Sequence, residues 1–91
     1  MIMTEEKKKE FKRKIDYVVV MIREIEKKIG RKIFSSPCIT ADNEQYFASF
    51  QGIGMHFYDI PYEIFMALTP QELVIEIMRA LTIEFNEYEN E

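Results

Sequence analysis

Residues 4–30 read TEEKKKEFKRKIDYVVVMIREIEKKIG, and the fold turns on how that stretch is interpreted. Thr4 carries a hydroxyl suited to capping a helix, and Glu5 and Glu6 follow where the helix dipole favours acids. Apolar residues then recur at Phe11, Ile15, Val18, Ile22, Ile25 and Ile29, in alternating steps of four and three. That rhythm is the seam of a helix packing on another helix. Gly30 supplies the stop, because glycine enters the left-handed C-cap without a steric penalty. A helix from about Thr4 to Ile29 would be roughly 39 Å long at about 1.5 Å per residue. That is long for a chain of 91 residues.

The middle of this helix is greasier than one seam requires. Tyr17, Val19, Val20 and Met21 lie off the main line and spread apolar surface over several sides. A helix of that kind is normally covered on several sides. Two covers compete: the sheet and last helix of the same chain, or a second subunit seated on Tyr17, Val20 and Met21. The length of the helix favours the second, so a homodimer or higher oligomer is expected.

Beyond Gly30 the periodicity changes. Ile33-Phe34, Cys38-Ile39-Thr40, Tyr46-Phe47-Ala48-Ser49-Phe50 and Met55-His56-Phe57-Tyr58 are short segments rich in aromatic and β-branched residues. Turn chemistry separates them at Ser35-Ser36-Pro37, Asp42-Asn43 and Gly52-Ile53-Gly54. Tyr46, Ala48 and Phe50 share one face of a strand, with Met55 and Phe57 on one face of the next. Such a ribbon is marginal alone and must lean on a helix. Pro61 then opens a short helix to about Leu68. Thr69-Pro70-Gln71-Glu72 is a capping box that starts a final helix. Its apolar stripe is Leu73, Val74, Ile77, Met78, Leu81 and Phe85, fading near Tyr88. The expected architecture is α+β in one domain, residues 1–91, with 1–3 and 88–91 frayed. It has a long N-terminal helix, a small antiparallel meander of two or three strands, and two C-terminal helices, short then long.

Composition narrows the function classes. Seven Phe and five Tyr against three Gly and three Pro describe a packed globule, not a disordered segment. Cys38 is the only cysteine and His56 the only histidine, which excludes an internal disulfide and leaves no ligand set for a metal. No cofactor is expected. The longest apolar run, Tyr17 to Ile22, has six residues, against the about 20 that a membrane span requires. Charged residues follow Met1-Ile2-Met3 at once, where a secretory leader would be apolar. The single cysteine suits a reducing compartment, so the expected location is cytoplasmic.

Charge divides the chain. Residues 1–32 hold eleven Lys and Arg against six Asp and Glu, while residues 33–91 hold one, Arg79, against ten acids. Three arrangements would use this division. The basic helix can lie beside the acidic last helix, where each exposed pair adds only about 0–1 kcal/mol. The cluster Lys7, Lys8, Lys9, Lys12, Arg13 and Lys14 can bind an anion. Or the acidic half can face a basic macromolecular partner, where complementary charge speeds and selects association. Nucleic acid is disfavoured as the main partner, because a pI near 5.1 is the reverse of a basic footprint.

Catalytic parts are sparse. Cys38, His56 and either Asp42 or Asp59 supply the components of a nucleophilic triad, but by composition and not by spacing. A lone Cys in an apolar strand is usually a small buried hydrophobe. Gly52-Ile53-Gly54 is too short for a phosphate loop. Glu72 and Glu76 lack the histidine of a di-metal helix and belong to a solvated edge. The chain therefore reads as a non-enzymatic, homo-oligomeric regulator or inhibitor. It would act by occupying a host or partner protein, in the manner of a viral or mobile-element accessory protein. The alternative is an oligomer that sequesters a small anionic, nucleotide-like ligand at a subunit interface. Lys12, Arg13, Arg31 and Lys32 would then clamp the anion, with Tyr46, His56 and Tyr58 facing it.

Overall fold

Thr4 caps the first helix as its chemistry requires: its side-chain oxygen accepts from the Lys7 N–H at 3.2 Å. Helix α1 runs from Glu5 to Ile29 and ends at Gly30 (φ 67°), whose N–H donates to the Glu26 carbonyl at 2.8 Å. A computed structural model describes the backbone at residues 3–53 and 57–89, and side chains at 3–53 and 57–81. After α1 come β1 (Phe34–Asp42), β2 (Gln45–Gly52) and β3 (Phe57–Pro61), then α2 (Tyr62–Ala67) and α3 (Pro70–Glu89). The strands form one antiparallel sheet in the order β1-β2-β3. The architecture is the expected α+β arrangement: a long helix, a three-stranded meander, then a short and a long helix.

One core joins the layers. Phe11, Ile15, Val18 and Ile22 of α1 are buried against Leu73, Val74, Ile77 and Leu81 of α3. Ala48, Phe50 and Ile60 supply the sheet's side, and Phe65 that of α2. Phe11 meets the rings of Tyr62 and Phe65 edge-on, at 5.0 and 5.4 Å between centroids. Each such ring contributes about 1.5–3 kcal/mol by leaving water. The strand alternation is as expected on β2, where Tyr46, Ala48 and Phe50 face the helices. Thr69 and Glu72 form the capping box, with Thr69 N–H to Glu72 Oε1 at 2.9 Å and Glu72 N–H to Thr69 Oγ1 at 3.2 Å.

Five local expectations are corrected. The α1 seam does not continue to Ile29, which is 54% exposed, and Ile25 is only half-buried. Glu26 faces inward instead, because a straight helix turns every 3.6 residues and a heptad line walks off the contact. Ser35-Ser36-Pro37 is not a turn between strands. It is a bulge within β1, where Phe34 pairs with Gly52 and Pro37 with Phe50. Proline is tolerated there because β1 is an edge strand. The first hairpin turns one residue later than Asp42-Asn43, on Asn43 and Glu44 with φ of 49° and 64°. A two-residue loop with both φ positive matches the twist of the strands it joins. Pro61 is the N-cap of α2 and the last residue of β3, its ψ of 146° keeping it extended. Met3, placed at a fraying end by its position, is buried in the core. Met55 and Phe85, assigned above to a strand face and a helix stripe, have side chains outside the described residues.

Candidate interaction surface

The residues of α2 and the first turns of α3 build a groove beside the edge strand β3. Tyr58, Ile60, Ile64, Leu68, Glu72, Ile75 and Glu76 line an open depression of about 260 Å³. Ile64 and Ile75 are 53% and 58% exposed, so the walls are apolar and wet. Glu72 and Glu76 lie one helical turn apart on α3 and give this apolar surface an acidic border. The Glu72 carboxyl is held below its ordinary value near 4.5 by the Thr69 N–H and hydroxyl, so it is charged at neutral pH. Burial pushes the Tyr58 hydroxyl above 10.0, helped by Glu76 and opposed by Arg79. Tyr58 therefore stays a neutral donor at the groove wall.

A second surface is the outward side of α1. Tyr17 is 56% and Val20 60% exposed, while Met21 is half-buried. The core covers the opposite side of α1 and takes in part of Met21, while most of the Tyr17 and Val20 side chains stays in water. Beside them Glu10, Arg13, Lys14, Tyr17, Met66 and Pro70 border a shallow apolar hollow. Lys14 crosses its floor and donates to the carbonyls of Met66 at 3.2 Å and Leu68 at 2.5 Å, at the end of α2. A cation is favoured there by the helix dipole. Desolvation lowers the Lys14 pKa from 10.5, and the charge of Glu72 partly offsets this. One member of the basic cluster thus serves the packing of α1 against α2.

The other end of α1 carries a buried polar clamp. Glu26 is 9% exposed and accepts from Arg23 at 2.7 Å, from the Ile33 N–H at 2.6 Å and from the Phe34 N–H at 3.4 Å. Arg23 also donates to the carbonyls of Phe34 and Ser35, at 3.0 and 2.8 Å, and lies 4.1 Å over the Phe34 ring. Burial raises the Glu26 pKa, but Arg23 and the two backbone donors outweigh it and bring it below 4.5. The clamp ties the end of α1 to the start of β1, and its work is structural.

The residues singled out for an anion clamp are not brought together within one chain. Lys12 and Arg13 are exposed on the N-terminal half of α1, whereas Arg31 and Lys32 follow its last turn. The sixteen residue steps from Arg13 to Ile29 separate the two pairs by about 24 Å of helix. Tyr46 and Tyr58 are half-buried on the helix-facing side of the sheet and pack on the core. Tyr46 lines a small cleft with Met3, Lys7, Tyr62 and Glu63, and Tyr58 lines the groove above. His56 lies outside the described residues. Cys38 is exposed, not a buried hydrophobe, because its pairing with Ser49 puts it on the sheet face away from the helices. Ser49 also pairs with Asp59, which sets Cys38, Ser49 and Asp59 in one row across that face. There the Ser49 hydroxyl donates to the Asp59 carboxylate. Asp42 stands at the far end of β1, paired with Gln45. Among the described residues no group of His, Cys, Asp and Glu could hold a metal ion, and no helix is long and apolar enough to cross a membrane.

Sequence reasoning passed over Ile64 and Ile75. A six-residue helix is too short to show a stripe, so Ile64 gave no signal. Ile75 did, since it stands off the apolar line of α3. What results is a small α+β domain that exposes apolar residues in the groove and on α1, the groove with an acidic border. Comparison with known proteins returns no family model, no curated protein and no solved structure that matches the chain.

Proposed function

We propose that this chain is a non-catalytic, self-associating binding protein that acts by occupying a macromolecular partner. Its docking surface is the groove between β3, α2 and α3, and the segment it accepts is basic and amphipathic. The observation that carries this reading is the pair Ile64 and Ile75, exposed on apolar walls that Glu72 and Glu76 border. Two apolar anchors of a helix or extended peptide would leave water there, while Lys or Arg beside them would meet the two carboxylates. Apolar burial supplies the affinity and the charges select the partner. The excess of acids in residues 33–91 acts in the same direction at longer range.

The test is an amide-resolved NMR titration with two synthetic helical peptides, one of Leu and Lys and its counterpart of Leu and Glu. The basic peptide should shift the resonances of Ile64, Leu68, Glu72, Ile75 and Glu76 saturably, and the acidic one should not. Ile75→Lys should remove the response while leaving the dispersion of the spectrum intact. Equal response to both peptides, or shifts that avoid the groove, would defeat the proposal.

The alternative, a sequestering protein for a small anion, draws on the basic residues of α1. Lys12 and Arg13 stand apart from Arg31 and Lys32 within one chain, so a clamp at a subunit interface would have to be assembled from two copies, whereas the groove is complete in one; the occupancy reading is therefore preferred.

A further inference from the structure

The outward side of α1 carries a second heptad line, distinct from the one that enters the core. It runs Glu6, Glu10, Arg13, Tyr17, Val20, Glu24, Lys27, again in alternating steps of four and three, and every one of these side chains is exposed. Its centre is apolar and its flanks are charged, in an order that has a consequence when the line is reversed upon itself. Set antiparallel about the midpoint between Val18 and Val19, Tyr17 of one copy faces Val20 of the other. Arg13 then faces Glu24, and Glu10 faces Lys27. Each of these pairings occurs twice under a two-fold axis, and each is complementary. A parallel pairing in register would instead oppose like charges at Glu10, Arg13, Glu24 and Lys27.

We infer that a second copy of this chain covers the outward side of α1, as an antiparallel helix pair with Tyr17 against Val20 and Arg13 against Glu24. This rests on the self-association in the reading above and fixes its geometry. The contact is isologous, so it closes at two subunits. Only Tyr17, Val20 and the adjoining Met21 are apolar, and exposed ion pairs are weak, so the dimer is a reversible one. Salt loosens it, because the Arg13–Glu24 and Glu10–Lys27 pairs lie at the wet edge of the contact.

Charge exchange tests the register. Arg13 and Glu24 are exposed and eleven residues apart on one helix, so their substitution spares the core and they do not pair with each other within a chain; Glu24 lies 3.6 Å from Lys27 of its own helix, an exposed pair worth little by itself. Sedimentation velocity at low salt should show the native chain in monomer–dimer exchange. Arg13→Glu and Glu24→Arg should each weaken the dimer about tenfold or more, since each places two like-charge pairs in the contact. The double variant, Arg13→Glu with Glu24→Arg, should recover the native dissociation constant to within about threefold, because both pairs are restored with their signs exchanged. Circular dichroism of the variants checks that helix content is retained. A native chain that stays monomeric at the highest attainable concentration overturns both the register and the self-association beneath it. A native dimer that Tyr17→Glu disrupts, but that the double exchange fails to restore, overturns this register while leaving self-association standing.

Discussion

Replacing Glu26 by Gln should cost about 2 kcal/mol of stability at neutral pH, and the structure shows why the figure is neither smaller nor larger. The glutamate is almost wholly buried and accepts three hydrogen bonds: one from Arg23, two from the Ile33 and Phe34 amides. A glutamine keeps the shape but turns one of its two ends into a donor, facing either the guanidinium or the amides. Hydrogen bonds to a charged partner contribute about 1.5–3 kcal/mol each, and the contact at 3.4 Å adds little. Loss is limited because the Arg23 side chain stays 33% exposed and keeps the Phe34 and Ser35 carbonyls. A domain of this size should then melt about 8–16 °C lower. Urea titration followed by circular dichroism would measure it, with an unchanged slope showing that only stability moved. The pH dependence gives an independent check. The folded pKa of Glu26 lies below 4.5, so its contribution is complete above that value and disappears as pH falls through the folded pKa. Native and Glu26→Gln proteins should therefore differ at pH 7 and converge in acid. A difference below about 0.5 kcal/mol at pH 7, or one that persists undiminished into acid, would refute the account of the clamp.

Two further outcomes follow from local chemistry. Thr69→Ala removes the side chain that accepts the Glu72 N–H and should destabilise the domain by about 1 kcal/mol, measurable in the same urea titration; Thr69→Ser should recover most of it. Cys38 should react fully with a thiol reagent under native conditions, as its exposed position on the outer sheet face requires; protection until denaturant is added would contradict the register of β1 on β2.

Much of the fold was legible because its signals are local. Thr4, Gly30 and the Thr69–Glu72 box act on amides within a few residues, so their chemistry is complete in the sequence. The core positions Phe11, Ile15, Val18 and Ile22 were readable because helical spacing places them on one side whatever they meet. The bulge at Ser35 to Pro37 was not readable as such. Serine and proline suit a turn equally well, and only pairing with Gly52 and Phe50 shows that the strand continues. Nor could the sequence separate Tyr46 and Tyr58, packed on the core, from an exposed stacking surface. That depends on which side of the sheet the helices occupy.

The sequence by itself determined the order of elements, the length of α1, the start of α3 and the unequal distribution of charge. Each depends on residues close along the chain, or on composition alone. Tertiary structure decided the rest: that Glu26 and not Ile29 closes the seam, that Cys38 faces outward, and that Ile64 and Ile75 border one groove. It also decided that Tyr17 and Val20 stay uncovered by their own chain. The reason is common to all four. Exposure belongs to the packing of one element on another, and the local periodicity that reveals each element carries no record of how far its neighbour reaches.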